Sequence, residues 1–179
     1  MRIISGKYKG KILKSPTTIN IRPTADKVKQ AFFTKYQFEI SGCNFLDLFC
    51  GSGAIGIEAI SRDCNIVYFI DKEESSLKLL KQNLSSIQEN NYKIIKSYSI
   101  KFLQNFDKKN YFDFIFIDPP YKSNLYNECL SIIYENKILK ENGIICCETD
   151  LDFKFEKTNF ILFDEKKYGN TKLYFFKNN

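Results

Sequence analysis

The strongest indication of the fold class is the segment Asp47-Leu48-Phe49-Cys50-Gly51-Ser52-Gly53-Ala54-Ile55-Gly56. It joins an apolar run, a glycine-rich turn and the start of a helical pattern. Gly51 and Gly53 allow a sharp turn and a close approach of the backbone to a ligand, and Gly56 allows a helix to pack closely on a strand. Asp71 ends the next apolar run, at the spacing from which a carboxylate can accept hydrogen bonds from ribose hydroxyls. The segment therefore predicts a nucleotide-binding turn between a strand and the helix that follows it.

The glycine turn suits three adenosine-containing ligands equally: NAD, FAD and S-adenosylmethionine. A structural turn with no ligand is the remaining alternative. The N–H groups of the helix after Gly53 suit an anion or a carboxylate. Asp47 favours a methionine moiety, because a carboxylate at the end of the strand repels a pyrophosphate but accepts hydrogen bonds from an ammonium group.

Apolar runs alternate with helical patterns along the rest of the chain. Residues 73–88 form the clearest helical pattern, with apolar side chains recurring on one face. Residues 159–163 and 172–176 predict a closing antiparallel hairpin around Gly169-Asn170. We therefore expect an α/β fold with a doubly wound, Rossmann-like sheet. Five continuous apolar runs are typical of strands buried on both faces of such a sheet: residues 45–49, 66–70, 92–95, 112–117 and 143–147.

Residues 1–40 have a different pattern and are predicted to form an N-terminal extension, a short hairpin followed by a helix. Two extended pieces flank a turn between Gly6 and Gly10, and the helix is expected to begin at Thr24. Residues 41–179 are predicted to form the main domain.

The excess positive charge lies in the first thirty residues. The chain has 27 basic and 21 acidic side chains, a net charge of +6. Residues 1–30 hold eight basic side chains against Asp26 alone, a net charge of +7, so the remaining residues sum to −1. This patch favours a polyanionic partner, with a solvated lysine-rich tail as the alternative. The eight basic residues are Arg2, Lys7, Lys9, Lys11, Lys14, Arg22, Lys27 and Lys29.

The sequence contains no histidine, and its six cysteines show no CxxC spacing. These facts exclude histidine general bases, cysteine–histidine nucleophile pairs and the usual zinc signatures, so no metal is expected. Cys146 and Cys147 are expected to point to opposite faces of a strand, as core residues in a reducing cytosol. The sequence has no apolar run of the ~20 residues that span a bilayer and no secretory signal at its start. We expect a cytoplasmic monomer with no membrane partner.

A second motif, Asp118-Pro119-Pro120-Tyr121, directly follows an apolar run. Because the carboxyl ends of parallel strands form the ligand crevice, the motif is expected beside the glycine turn. The exocyclic amine of a base is a poor nucleophile, since its lone pair is delocalised into the ring. Hydrogen bonds from the amine to Asp118 and to a backbone carbonyl would localise this lone pair, and the two prolines would hold the acceptors in place. Tyr121 can stack on the base.

This second motif predicts methylation of a base amine without a strong base, carried out by Asp118, Pro119, Pro120 and Tyr121. The methylated amine becomes acidic and can release its proton to Asp118 or to water. In-line positioning of the methyl donor and the amine then supplies much of the acceleration. A strand that simply ends in a rigid turn is the alternative interpretation.

Both motifs, together with the two ends of the chain, resemble those of the RsmD family. The start Met1-Arg2-Ile3-Ile4-Ser5-Gly6-Lys7-Tyr8-Lys9-Gly10, the segment Arg22-Pro23-Thr24 and the ending Tyr168-Gly169-Asn170-Thr171-Lys172-Leu173 look like that family, so the resemblance covers essentially the whole chain. These bacterial enzymes methylate N2 of a guanine in 16S ribosomal RNA. The resemblance implies a seven-stranded sheet with an antiparallel last strand, S-adenosylmethionine as cofactor, and 16S rRNA in an assembling 30S subunit as partner.

The same resemblance implies roles for individual residues. Residues 96–99 lack the acid that related methyltransferases often place against the adenine amino group, so the adenine contacts there are assigned to Ser97, Tyr98 or backbone groups. Lys27 and Lys29 stand where arginine would give bidentate phosphate contacts. The N-terminal extension is expected to meet RNA through Arg2, Lys7, Lys9, Lys11 and Arg22, together with Tyr121. The predicted cofactor-binding residues are Asp47, Phe49, Gly51, Ser52, Gly53, Asp71, Ser97, Tyr98 and Asp118.

Three other functions remain open from the sequence. A DNA amino-methyltransferase can share the second motif, but it usually needs a target-recognition region, and only about forty residues precede the core here. A nicotinamide-dependent oxidoreductase shares the glycine turn but leaves the second motif and the basic segment unexplained. A non-catalytic RNA-binding module with the same fold is the third alternative.

Overall fold

Strands and helices alternate from residue 44 to residue 150, as the apolar runs predict, and two further strands follow without a helix. The computed structural model describes residues 1–15, 23–120 and 125–179, without the side chains of residues 23–25. Within these ranges, no helix is long and apolar enough to cross a membrane. The described helices are α1 (Pro23–Lys35), α2 (Ala54–Ser61), α3 (Glu74–Leu84), α4 (Ser99–Asn105) and α5 (Leu125–Glu135). The described strands are β1 (Asn44–Asp47), β2 (Ile66–Asp71), β3 (Tyr92–Lys96), β4 (Phe112–Ile117), β5 (Leu139–Asp150), β6 (Ile161–Tyr168) and β7 (Thr171–Lys177).

The strands form one seven-stranded sheet in the order β3-β2-β1-β4-β5-β7-β6. The pairs among β1 to β5 are parallel, whereas β7 runs antiparallel to both β5 and β6. The chain moves outward from β1 to β3 and then returns to β4, so the strand order reverses between β1 and β4. Open α/β sheets bind their ligands at this switch point. The α/β fold with an antiparallel last strand is confirmed.

Both faces of the sheet are buried by separate hydrophobic clusters. One face packs against α1, α2 and α3, and the other packs against α4 and α5. Cys146 lies in the first cluster and Cys147 in the second, which confirms that they point to opposite faces. All six cysteines are free and buried. Burial from both sides explains why the central strands are continuous apolar runs.

The elements at one edge differ from the sequence prediction. β3 is an edge strand with half-buried or exposed side chains, so the prediction that both of its faces are buried was wrong. The helix predicted over residues 73–88 ends at Leu84. The N–H of Gln88 instead donates to the Tyr8 hydroxyl at 2.9 Å, so the N-terminal segment takes the place of a further helical turn.

The described N-terminal residues fold back on themselves and pack on the helices that cover the first face. Arg2 and Ile12 form an antiparallel bridge, and the Ile3 N–H donates to the Lys11 carbonyl at 3.0 Å. Ile3 and Leu13 are buried in the same hydrophobic cluster as side chains of α1 and α2. The division of the chain at residue 40 stays a prediction.

Candidate cofactor and nucleic-acid site

Three aspartates lie at the carboxyl ends of neighbouring central strands. Asp47 ends β1, Asp71 ends β2, and Asp118 directly follows β4. Asp47 lies opposite Phe69 of β2 and Phe116 of β4 in the sheet register, so Asp71 and Asp118 extend two residues beyond it on either side. Among the residues the structure describes, no group of three or more His, Cys, Asp or Glu could hold a metal ion. The three aspartates lie at the switch point of the sheet, where the ligand crevice of an open α/β fold is found.

The glycine turn between β1 and α2 uses left-handed backbone, with φ at 51° for Gly51 and 81° for Gly53. The Gly53 N–H donates to the Cys50 carbonyl at 2.7 Å and closes the turn. A Cβ at Gly53 would lie 2.2 Å from Cδ1 of Leu80, whereas a Cβ at Gly51 would meet nothing within 4 Å. Gly53 is thus needed for packing on α3, and Gly51 borders open space where a ligand can approach the backbone.

Asp47 lies beneath the turn and is 3% exposed. Its Oδ2 accepts a hydrogen bond from the Gly56 N–H at 3.0 Å. Burial raises the pKa of Asp47 to about 7, and the negative charges of Asp118 and Asp71 act in the same direction. A cation in the crevice would favour the carboxylate form. Gly56 allows this contact, since a Cβ there would lie 2.3 Å from Cε1 of Phe69.

Asp71 orders the loops on the other side of the turn. The Gly51 N–H donates to its Oδ2 at 2.9 Å, and the Glu73 N–H donates to its Oδ1 at 2.8 Å. Each carboxylate oxygen can accept a second hydrogen bond, so Asp71 retains acceptors for ligand hydroxyls. The Ser97 N–H donates to the Asp71 carbonyl at 3.0 Å, which joins the ends of β2 and β3. The adjacent Tyr98 is 66% exposed, and the Lys72 ammonium lies 5.6 Å from the centre of its ring.

The second motif starts in the same crevice. Asp118 and Pro120 are exposed, while Pro119 is buried. Tyr121 lies outside the described residues. Tyr126 of α5, which sequence reasoning missed, donates from its hydroxyl to the Glu148 carbonyl at 2.5 Å. Burial raises the pKa of Tyr126, and the charge of Asp118 acts in the same direction.

The predicted RNA-binding residues fall into two groups. Arg2 and Lys9 are exposed. Lys7 pairs with Asp63 at 2.5 Å, and the Lys11 ammonium donates to the Ser86 carbonyl, so both already hold the N-terminal segment on the domain. Arg22 lies outside the described residues.

Lys29 contradicts the expectation of a phosphate-facing position. Its side chain is 2% exposed, and its ammonium donates to the Arg2 carbonyl at 2.6 Å. Glu58 of α2 is fully buried nearby, with its carboxylate 3.8 Å from the Lys29 ammonium. Glu58 accepts hydrogen bonds from the N–H groups of Ile4 and Ser5 at 2.8 and 3.0 Å. Lys29 and Glu58 thus anchor the N-terminal segment.

The remaining predicted cofactor residues, Phe49 and Ser52, are partly or wholly buried. Phe49 is half-buried against the second hydrophobic cluster. Ser52 is buried, and its carbonyl accepts a hydrogen bond from the side-chain amide of Asn83 at 2.9 Å. Asn83 and Glu58 were missed from the sequence, because each stands within an apolar helical pattern and finds its polar partners only in the folded chain.

A family model described as "Conserved hypothetical protein 95" matches residues 1–177. The chain is 34% identical to "Ribosomal RNA small subunit methyltransferase D" of Haemophilus influenzae, covering 94% of this chain and 89% of that protein. It is 33% identical to "Putative rRNA methyltransferase YlbH" of Bacillus subtilis, covering 99% and 98% of the two chains.

A comparison with solved structures also finds a methyltransferase. The structure described as "Putative methyltransferase yhhF from Escherichia coli" superposes with a TM-score of 0.89 at 27% identity, covering 100% of this chain and 98% of that one. The matched region includes the N-terminal segment and the closing hairpin. The chain therefore belongs to the RsmD family of ribosomal RNA small subunit methyltransferases.

Proposed function

We propose that this protein transfers the methyl group of S-adenosylmethionine to the exocyclic N2 of a guanine in 16S ribosomal RNA, within an assembling 30S subunit. The observation that carries the proposal is the exposed carboxylate of Asp118, directly after β4 and beside the open glycine turn. The relatives named as rRNA methyltransferases support RNA as the substrate class.

The described residues fit S-adenosylmethionine. Gly51 leaves open space beside the backbone, and Asp71 has acceptors for two ribose hydroxyls. The exposed ring of Tyr98 lies at the end of β3, where it can pack on an adenine. A pyrophosphate would meet Asp47, Asp71 and Asp118 in the same crevice, so the charge of the site favours a cationic ligand over a dinucleotide.

Asp118 positions the amine that receives the methyl group. When bound, S-adenosylmethionine supplies a methyl group on an electron-poor sulfonium. Asp118 accepts a hydrogen bond from one N–H of the guanine N2 amine and directs the nitrogen lone pair toward that methyl group. The buried Pro119 fixes the carboxylate relative to the strand, so little reorganisation is needed during the reaction.

The reaction forms a bond between the guanine nitrogen and the methyl carbon and breaks the bond between that carbon and sulfur. The amine nitrogen then carries a positive charge and loses a proton to Asp118 or to water. The sulfonium becomes a neutral thioether. Asp118 therefore contributes by orientation before methyl transfer and as a proton acceptor after it.

Paired variants test this proposal. Asp118→Asn keeps the size of the side chain but removes its negative charge, and Asp118→Ala removes the acceptor. We expect a loss of methyl transfer to rRNA of about 10²–10³-fold, comparable to removal of one preorganised hydrogen-bonding group in other enzymes. Asp107→Asn is the matched control, because Asp107 is also an exposed aspartate but precedes β4 instead of following it.

Calorimetry with S-adenosylhomocysteine separates chemistry from cofactor binding, which the Asp118 variants are expected to retain. Parallel assays on rRNA, 30S particles and duplex DNA identify the acceptor. Methyl transfer to DNA alone, or full activity in Asp118→Ala, would contradict the proposal.

A further inference from the structure

Asn83 connects the glycine turn to the N-terminal segment through one buried side chain. It lies on α3 and is 3% exposed. Its Nδ2 donates to the Ser52 carbonyl at 2.9 Å and to the Lys14 carbonyl at 3.1 Å. Its Oδ1 accepts from the Lys14 N–H at 2.8 Å. One amide thus uses both of its N–H groups and its carbonyl on two distant parts of the chain.

On one side, Asn83 fixes a peptide plane of the glycine turn. The carbonyl of Ser52 and the N–H of Gly53 belong to the same peptide group. The carbonyl accepts from Asn83, and the N–H donates to the Cys50 carbonyl at 2.7 Å. Rotation of this peptide would break both bonds, so its orientation depends directly on Asn83.

On the other side, Asn83 holds both backbone groups of Lys14. The rest of the segment is held by further contacts: the Lys7 N–H donates to the Ser61 carbonyl at 2.7 Å, and the Tyr8 hydroxyl donates to Glu89. Ser61 ends α2, the helix that begins directly after the glycine turn. The N-terminal segment is therefore attached to both helices that border the turn, and Asn83 contacts the turn itself.

We propose that Asn83 is a positioning residue that couples occupation of the cofactor turn to order in the N-terminal segment. A ligand that restrains the Ser52–Gly53 peptide also restrains Asn83 and, through it, Lys14. Thermodynamic linkage requires the reverse effect: a partner that restrains the N-terminal segment strengthens cofactor binding by the same factor. Identifying that partner as rRNA rests on the proposed function; the coupling within the protein does not.

Hydrogen–deuterium exchange of the full chain, with and without S-adenosylhomocysteine, tests the coupling without RNA. We expect the ligand to slow exchange of amides within residues 1–15 of the wild type by at least about fivefold, the lower end of known coupling factors. Asn83→Asp can still accept from the Lys14 N–H but cannot donate to Ser52, and Asn83→Leu can do neither. Both variants are expected to bind the ligand more weakly and to show no protection of residues 1–15.

Tyr8→Phe is the matched control, since it loosens the segment at Glu89 and leaves the Asn83 contacts intact. It should raise basal exchange but retain the protection by the ligand. Thermal melts verify that each variant is folded, and the size-matched Asn83→Asp variant keeps the test decisive if Asn83→Leu unfolds. Absence of protection in the wild type, or undiminished protection in folded Asn83→Asp, would overturn the inference.

The link to RNA is measured separately, as the affinity for S-adenosylhomocysteine with and without saturating rRNA. The inference predicts at least about fivefold tighter binding with rRNA in the wild type and no change in Asn83→Asp. If the wild type methylates rRNA but its ligand affinity does not respond to rRNA, the coupling to RNA is wrong and the proposed function stands. If it methylates no rRNA, the proposed function fails, and the exchange experiment still decides the role of Asn83.

Discussion

Replacing Asp47 with asparagine measures how much free energy it costs the folded protein to ionise this buried carboxyl group beneath the glycine turn. Asp47 is buried, and its pKa is raised to about 7. Its pKa in the unfolded chain is about 3.9. At pH values between these two, the folded protein holds a proton that the unfolded chain has released, so the free energy of unfolding falls as the pH rises.

The magnitude follows from the size of the pKa shift. At about 1.4 kcal/mol for each pH unit, the full cost of ionising Asp47 in the folded protein is about 4 kcal/mol. About 2.5 kcal/mol of this cost develops between pH 5 and pH 8. Asparagine retains an oxygen that can accept from the Gly56 N–H and does not titrate. The free energy of unfolding of Asp47→Asn, relative to that of the wild type, should therefore increase by about 2.5 kcal/mol from pH 5 to pH 8.

Urea unfolding at pH 5 and pH 8 gives the required free energies, provided that both proteins have equal m-values. Asp152→Asn, which removes one exposed carboxylate, controls for the change in net charge. If Asp47→Asn and the wild type differ in free energy of unfolding by the same amount at pH 5 and at pH 8, the pKa of Asp47 is not raised.

Three further predictions concern the same crevice and the N-terminal segment. Gly53→Ala adds a Cβ 2.2 Å from Cδ1 of Leu80, whereas Gly42→Ala adds one in open space at a similarly positive φ. In urea unfolding, Gly53→Ala should therefore lower the free energy of unfolding by about 1–3 kcal/mol more than Gly42→Ala does. Equal losses in the two variants would contradict the clash with Leu80. Glu58→Gln weakens the buried acceptor for two backbone N–H groups, so limited proteolysis should cut the N-terminal segment faster than in the wild type, and unchanged cleavage would argue against this anchor. The ammonium group of S-adenosylhomocysteine favours the ionised form of Asp47, which forms as the pH rises through about 7. The affinity for this ligand, measured by calorimetry, should therefore rise by about tenfold from pH 6 to pH 8 in the wild type. In Asp47→Asn this rise should disappear.

The central sheet could be predicted from the sequence because its signals are local. β1, β2, β4 and β5 contain continuous apolar runs, and the glycine turn and Asp118 stand directly at strand ends. In a parallel sheet those ends meet at one edge, so their positions along the chain are enough to bring them together. β3 was misjudged, since an apolar run does not reveal which strand lies at the edge.

The contacts that hold the N-terminal segment could not be predicted, because they join residues far apart in sequence. Glu58 contacts Ile4 across 54 positions, and Asn83 contacts Lys14 across 69. In the sequence, both stand among apolar residues of amphipathic helices, and nothing local identifies their partners. The charge count located the basic segment but could not distinguish the exposed Arg2 from the buried Lys29.

Mapping of methylated nucleotides in 16S rRNA shows directly whether the protein methylates N2 of a guanine. 30S particles lacking the modification are incubated with the protein and S-adenosylmethionine carrying a labelled methyl group, and the 16S rRNA is then digested and analysed by mass spectrometry. We expect one labelled N2-methylguanine, formed by the wild type and by Asp107→Asn but not by Asp118→Ala. A label on another base, on another atom of guanine, or in equal amount with Asp118→Ala would contradict it.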